Sequence, residues 1–419
     1  MSNFKSQFLN IMVERGFYNQ CTNENGFDQY LYECEQKGTP AVGYLGSDPT
    51  GDSLHVGHIV PLMMLRWFQK CGHKPITLVG GATARIGDPS GKDKLRPFLD
   101  EKTLANNIIG LKKSFSKFLK FGTGATDAIM VDNWDWFKDI NYLSFLRDIG
   151  TCYSVNRMLT MDSVKSRLDR EQPMSFLEFN YMLLQGYDFC QLYTQFGCRA
   201  QIAGSDQWGN ITSGTELGRR KYDVELFGFT SPIITDSSGK KMGKSEGNAV
   251  WINDEKLPSY DYFQYFRNIE DSEVGKCLRI YTDLPIDEIR RLENLKDQEI
   301  NEAKKILAFE ATKICRGEAE ALNARDTAIK TFEQGQLGND LPFITKNNIE
   351  DLSILDAVTE IGWCASKGEV RRLIKQGGIK INDQTVTDEN YRFSSKDITD
   401  NQIKIAQGKK KFGLIKIVA

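Results

Sequence analysis

"AVGYLGSDPTGDSLHVGHIVPLMMLRWFQKCGHKPITLVGG", residues 41 to 81, holds a strand, a helix and a second strand in one run. "AVGYLGS" (41 to 47) and "PITLVGG" (75 to 81) are short, β-rich and nearly all apolar. Between them "LHVGHIVPLMMLRWFQKCG" (54 to 72) puts Ile59, Val60, Met63, Met64 and Trp67 on one helical stripe. Strands that are apolar on both faces and joined through a helix belong to a parallel sheet covered on both sides. The alternation continues through "AIMVDN" (128 to 133), "RAQIAGS" (199 to 205), a helix from about 206 to 220, and "GFTSPIIT" (228 to 235). The expected fold is therefore α/β, with a doubly wound, Rossmann-like parallel sheet.

The turn after the first strand holds His55 and His58, two of three histidines in 419 residues. Asp52 or Ser53 can cap a helix that begins near Leu54, which sets the two imidazoles at i, i+3 on one face. Pro61, inside that helix, cannot donate to the Gly57 carbonyl and predicts a slight kink. Three readings are open for the pair. The rings can cap or pack; they can bind zinc, for which neither His73 nor any cysteine pair supplies partners at a recognisable spacing; or they can handle phosphate. The helix N-terminus offers unpaired N–H groups and the positive pole of the dipole, and Gly57 lets a ligand approach the backbone. Phosphate handling accounts for turn, helix end and donors together.

A chain of this length, 40% hydrophobic and 26% charged, exceeds one ordinary core. After residue 250 the β signal gives way to amphipathic helices rich in Glu, Lys, Ala and Leu. "EQGQLGNDLPFITKNN" (333 to 348) has the Gly, Asn and Pro of a linker, and a small α+β tail follows. The expected division is a catalytic domain over 1–235, a basic loop over 236–250, an all-α domain over 251–332, a linker over 333–350 and a small α+β domain over 351–419. Nine scattered cysteines with no Cys-x-x-Cys argue against a disulfide framework or zinc knuckle and for a reducing compartment, the cytoplasm. The N-terminal stretch has neither an apolar h-region nor a transit-like composition, and no apolar run approaches the ~18 residues of a membrane span. A net charge of −2 excludes a uniformly basic nucleic-acid coat.

Downstream, "DSSGKKMGKSEGN" (236 to 248) is a Gly-rich loop with Lys240, Lys241 and Lys244 just after the last strand. Alone, such a loop reads as solvated surface. Paired with HVGH after the first strand, the KMGKS of this loop resembles the second of the two signatures of class I aminoacyl-tRNA synthetases, HIGH and KMSKS. Val56 replaces Ile in the first and Gly243 replaces Ser in the second, and neither change removes a functional side chain. The resemblance narrows to the bacterial-type tyrosyl family and covers nearly the whole chain, through "YLGSDPT" (44 to 50), "LVGGATARIGDPSGK" (78 to 92), "FNYMLLQGYD" (179 to 188) and "QIAGSDQWGN" (201 to 210). The tryptophanyl enzymes share sheet and motifs, but Tyr44, Asp188 and the basic tail favour tyrosyl. A third reading, an RNA-binding protein that has lost catalysis, is disfavoured by the intact His55, His58, Lys241 and Lys244.

The resemblance implies activation of L-tyrosine by ATP to tyrosyl-adenylate and pyrophosphate, then transfer to the terminal adenosine of tRNA(Tyr). By the same analogy Tyr181, Gln185 and Asp88 hold the substrate α-ammonium, Tyr44 and Asp188 meet the phenol hydroxyl, and Gln207 shapes the amino-acid pocket. Tyr181, Gln185 and Asp188 share a helix face at spacings of four and three, and a polar face in an otherwise apolar helix needs a polar partner. Rejection of phenylalanine by buried polar partners, without editing, is a known property of tyrosyl enzymes. Thr50, His55 and His58, with Lys92, Lys241 and Lys244 on loops and Arg96 as a further loop candidate, would surround the phosphates. Asp48, Gly57, Gly204 and Asp206 resemble ATP-contacting positions, with Asp206 on the ribose. Magnesium is expected with ATP and pyrophosphate, and no protein metal ligand is assigned.

Residues 351 to 419 hold 12 Lys or Arg against 9 Asp or Glu. "SKGEVRRLIKQGGIKINDQTV" (366 to 386) puts Arg371, Arg372 and Lys375 on a helix before a Gly-Gly turn and a strand. The arrangement resembles an RNA-binding module shared with a ribosomal small-subunit protein, which implies tRNA contact by these three residues. The family also implies a homodimer.

Overall fold

The computed structural model describes residues 4–90, 99–235, 242, 244–245, 248–332, 341–349, 351–408 and 411–418. Its main sheet has six strands: β1 (Gln20–Cys21), β2 (Val42–Ser47), β3 (Lys74–Val79), β4 (Ile129–Asp132), β5 (Ala200–Gly204) and β6 (Phe227–Ser231), in the order β1-β6-β5-β2-β3-β4. All neighbours are parallel except β1, which runs antiparallel to β6 at the edge. From β2 the chain winds outward through β3 to β4, and from β5 it winds the other way to β6. The reversal lies between β2 and β5, where Tyr44 pairs with Gln201. In open α/β sheets ligands bind in the crevice outside the carboxyl ends of such strands. The sequence reading named β2 to β6 in place; the two-residue β1 was too short to carry a periodic signal.

The helices of this unit are α1 (Gln7–Glu14), α2 (Glu24–Lys37), α3 (Val56–Lys70), α4 (Glu101–Ser116), α5 (Phe176–Phe196) and α6 (Trp208–Tyr222), with short helices at Trp134–Phe137, Tyr142–Asp148, Val155–Met158 and Asp162–Asp169. Helix α5 has both ends specified: Ser175 and Glu178 form a capping box, and Gly197 closes it at φ 67°. The period-two pattern of β2 sends neighbours to opposite cores. Leu45 joins Met63, Met64 and Leu65 of α3 on one face, and Tyr44 joins Phe189, Cys190 and Leu192 of α5 on the other. His73, the third histidine, is buried with its ring centroid 4.6 Å from that of Phe68. Burial pulls its pKa down to about 4, so its neutral ring forms no ion pair with Glu35 despite a 3.8 Å approach.

After β6 comes the hairpin β7 (Lys244–Ser245) and β8 (Asn248–Ala249), then α7 (Ser259–Arg267), α8 (Val274–Tyr281), α9 (Ile286–Glu293), α10 (Ile300–Arg316) and α11 (Glu318–Phe332). Phe263, Phe266, Leu278 and Leu307 of these helices belong to the same apolar core as α3, so the helical part extends the core of the sheet unit. The tail has its own sheet, β9 (Phe343–Lys346), β10 (Ile379–Ile381), β11 (Gln384–Thr385), β12 (Gln402–Gln407) and β13 (Lys411–Ile417), in the order β11-β10-β12-β13-β9. With α12 (Ile354–Glu360) and α13 (Lys367–Lys375) it encloses Val358, Val370, Ile374, Ile403, Ile405 and Ile415. Residues 343–346 fall in the stretch expected as linker, yet they form the edge strand, parallel to β13. The local Pro and Asn residues hid a strand whose partner lies some 70 residues later. Among the described residues, no helix is long and apolar enough to cross a membrane.

Candidate active site

A cleft of about 570 Å3 opens at the reversal point, within the range of small-ligand sites. Its floor is polar inside an apolar shell. Tyr44, on β2, is fully buried and its hydroxyl has no hydrogen-bond partner; Gln201 Oε1 on β5 and Ser231 Oγ at the end of β6 are likewise buried without partners. All three line the cleft. Unpartnered buried polar atoms are costly and mark positions where a ligand completes the bonding.

Asp188 of α5 lies beside Tyr44 and is 2% exposed. Its carboxylate accepts from Asn133 Nδ2 at 3.0 Å and Trp136 Nε1 at 2.9 Å. Burial, opposed by those two bonds and aided by the charges of Asp48 and Asp132, still pushes its pKa up to about 8. Burial first and Asp188 second hold the Tyr44 phenol well above its ordinary pKa, so it stays a neutral donor.

Two helical turns away, the Tyr181 hydroxyl donates to Asp48 Oδ2 at 3.0 Å, and Thr83 Oγ1 donates to Asp48 Oδ1 at 2.7 Å. Asp48, expected among ATP contacts, is thus tied to the wall of the amino-acid pocket. Gln207 Nε2 donates to Asp88 Oδ2 at 2.9 Å, and the Ser90 N–H donates to Asp88 Oδ1 at 2.9 Å. Gln185 lines the same wall. Three carboxylates, Asp48, Asp88 and Asp188, therefore surround one end of the cleft, an arrangement suited to a cation and a phenol hydroxyl.

The histidines sit at the mouth with Thr50, Gly57, Gly204 and Asp206. Helix α3 begins at Val56, and its N-cap is His55, not Asp52 or Ser53. The Gly57 N–H donates to His55 Nδ1 at 3.1 Å, and the His55 N–H donates to His58 Nδ1 at 3.2 Å. Imidazole is not among the favoured capping groups, which is why the sequence pointed two residues upstream. With both Nδ1 atoms accepting, each neutral ring carries its proton on Nε2. Gly57 lines the cleft and also serves a close approach of chain: a Cβ there would fall 3.1 Å from the Met242 carbonyl oxygen and 2.9 Å from His55 Cε1.

That contact joins the two basic motifs. Met242, in the middle of KMGKS, is 7% exposed in the core. Its N–H donates to the Ile234 carbonyl at 3.0 Å. Beyond β8 the chain pairs with the approach to α3: Val56 N–H donates to Val250 O and Ile252 N–H to Leu54 O, each at 2.9 Å, with His55 opposite Trp251. Lys92, Arg96 and Lys241 lie outside the described residues; Lys244 is described in its backbone alone, in β7. Arg371, Arg372 and Lys375 are exposed on α13, in the tail and not in the cleft.

Asn133, Trp136, Thr83, Gln201 and Ser231 escaped the sequence reading. A Gln inside the apolar strand "AQIAG" was a usable signal; Asn133 and Trp136 gain meaning only when β4 and α5 meet.

Residues 36–333 match the family model "tRNA synthetases class I (W and Y)", and residues 332–415 match "Tyrosine--tRNA ligase SYY-like C-terminal domain". The tyrosine–tRNA ligase of Rhodospirillum rubrum is 51% identical over 417 residues, 99% of both chains. That of the Wolbachia of Brugia malayi is 52% identical over 410 residues, 97% of this chain and 98% of its own. A C-terminally truncated mitochondrial tyrosyl-tRNA synthetase of Coccidioides posadasii superposes with a TM-score of 0.66 at 30% identity, covering 76% of this chain and 91% of that one. A sheet reversal with an unsatisfied phenol pocket beside paired HVGH and KMGKS segments agrees with these likenesses: the chain belongs to the tyrosyl-tRNA synthetases of class I.

Proposed function

We propose that the cleft divides the work of this tyrosyl-tRNA synthetase between a phenol-reading floor and a phosphate-binding mouth. The observation that carries this reading is the Tyr44 hydroxyl, fully buried beside Asp188 without a partner. In this division Tyr44 and Asp188 receive the substrate hydroxyl, and Tyr181, Gln185 and Asp88 receive the α-ammonium. The tyrosine carboxylate attacks the α-phosphorus of ATP; a new carboxyl–phosphate bond forms, the bond to the β-phosphate breaks and pyrophosphate leaves. Negative charge moves to the leaving group, so rate comes from positioning and from donors that meet that charge. His55 and His58, with Thr50, Lys92, Lys241 and Lys244, are assigned to it, and Gly204 and Asp206 to the nucleoside. A hydroxyl of the terminal adenosine of tRNA(Tyr) then attacks the tyrosyl carbonyl and AMP leaves.

Magnesium belongs to this scheme as the counter-ion of the nucleotide and pyrophosphate, with no protein ligand assigned to it. Homodimer formation is supported by apolar side chains exposed between residues 142 and 176, Leu143 at 73% and Phe176 at 68% among them, more than a solvated surface of this kind carries. Nine free cysteines support residence in the reducing cytoplasm. The division into catalytic, helical and basic tail domains gives tRNA the exposed Arg371, Arg372 and Lys375 face. Exchange of labelled pyrophosphate into ATP tests the core of the reading: it should depend on tyrosine and not on tryptophan or phenylalanine, and exchange indifferent to the phenol hydroxyl would overturn it.

A further inference from the structure

In sequence, the groups assigned to the phosphates adjoin three described stretches: the approach to α3 just ahead of His55, the segment from residue 250 that follows Lys241 and Lys244, and α4, which follows Lys92. We propose that Asn253 is the positioning residue that sets these three stretches against one another; the inference rests on the phosphate assignments above. Asn253 is 4% exposed and satisfied on every side. Its N–H donates to Ser53 Oγ at 3.1 Å, its Nδ2 donates to the carbonyls of Asp52 at 2.9 Å and Gly110 at 3.1 Å, and its Oδ1 accepts from Ser114 Oγ at 2.9 Å. Ser114, wholly buried, also accepts from the Leu54 N–H at 3.2 Å. Asn253, on the segment that follows β8, thus bonds Asp52 and Ser53 just ahead of HVGH and Gly110 and Ser114 of α4.

Gly110 makes the arrangement possible. A Cβ there would fall 1.9 Å from the Asp52 carbonyl oxygen, so any side chain in the middle of α4 drives the helix away from the approach to His55. Ion pairs between Lys256 and Asp52 and between Lys117 and Asp254, both at 2.6 Å, cross the same junctions nearer the surface. The backbone bridge of His55 and Trp251 joins two of the three stretches; the Asn253 amide joins the third. Catalysis by positioning is sensitive to misplacements of about an ångström, worth on the order of 100-fold in rate.

The test separates the ATP step from tyrosine binding in the full-length protein. Asn253→Ala should lower kcat/KM for ATP in tyrosine-dependent pyrophosphate exchange by about tenfold or more, while the tyrosine Kd from equilibrium dialysis stays within about twofold. Gly110→Ala should reproduce that ATP-selective loss from the opposite side of the junction. Should Asn253→Ala not accumulate as folded protein, Ser114→Ala, which removes the hydroxyl's bonds to Asn253 Oδ1 and the Leu54 N–H and keeps the amide, carries the same comparison. His55→Asn is measured in parallel. If it leaves exchange intact, the phosphate assignment itself fails. If it slows exchange while Asn253→Ala leaves ATP kinetics near wild type, or weakens tyrosine and ATP together, Asn253 is structural and the inference fails.

Discussion

Tyr44 and Asp188 define the chemistry at the scale of single residues, and each has a consequence that can be measured without tRNA. The Tyr44 hydroxyl makes no hydrogen bond to the protein's own groups, so Tyr44→Phe removes a desolvated donor and breaks no internal bond. The variant should melt at the same temperature as wild type or higher, while its preference for tyrosine over phenylalanine in pyrophosphate exchange falls roughly fivefold, about 1 kcal/mol. A lower melting temperature would show that the hydroxyl has an internal partner. Asp188 carries the pH signature. Its carboxyl, pushed up to about 8 by burial, binds its proton more tightly folded than unfolded. Its contribution to stability is therefore complete below the ordinary carboxylate range and is lost as pH rises toward 8. Asp188→Asn should flatten the fall in melting temperature over that window; parallel curves for variant and wild type would mean an ordinary carboxylate. Of this floor, Tyr44 was named through the family resemblance, and Tyr181, Gln185 and Asp188 through that resemblance and through three polar groups sharing one helix face. Asn133 and Trp136 were not, because their role depends on an approach between β4 and α5 that no local rule contains.

At the scale of elements, the decisive object is the start of α3. A capping imidazole that accepts a backbone N–H is a structural part and a phosphate-site candidate at once, and His55→Asn separates the two. Asparagine ranks among the best N-caps, so the helix and the melting temperature should survive. Pyrophosphate exchange should slow roughly 100-fold, the usual loss when one charge-stabilising donor is removed, with tyrosine binding unchanged. Equal loss of exchange and stability would return the residue to a capping role alone. Apolar runs announced strands β2 to β5 to within two residues at each end, and β6 at its start but four residues past its end, since a strand buried on both faces has no other reading at that length. The helix start moved by two residues because side-chain preference names Asp and Ser as caps, whereas the backbone path set by Val250 and Ile252 places His55 there. Strand β9 was hidden for a related reason: an edge strand is defined by its neighbour, here β13, and not by its own composition.

Across the whole molecule the tail is the separable part, with its own apolar core and its cations turned outward. It is not detached, because Leu341 and Leu414 reach into the core of the helical part. A deletion at residue 351 would also strand β9, so charge reversal is the cleaner probe. Changing Arg371, Arg372 and Lys375 to Glu should lower tRNA charging and flatten its salt dependence by up to about three in log–log slope, leaving pyrophosphate exchange as in wild type. Unchanged charging would remove these residues from the tRNA contact. The expected three-part division rested on changes of hydrophobic periodicity near residues 250 and 350; that the sheet unit and the helices share a core was not legible, since Phe263 and Leu307 look the same in a private core as in a common one.

The three unpartnered atoms under the cleft give the substrate a second part to play. Tyr44, Gln201 and Ser231 each carry a buried side-chain atom for which the fold itself supplies no hydrogen-bond partner. On the proposed assignment, a phenol that enters there completes interior bonding, so tyrosine should stabilise the fold through the mass-action coupling of any native-state ligand. Added tyrosine is expected to raise the melting temperature and slow proteolysis, and an unchanged melting temperature at saturating tyrosine would count against the pocket.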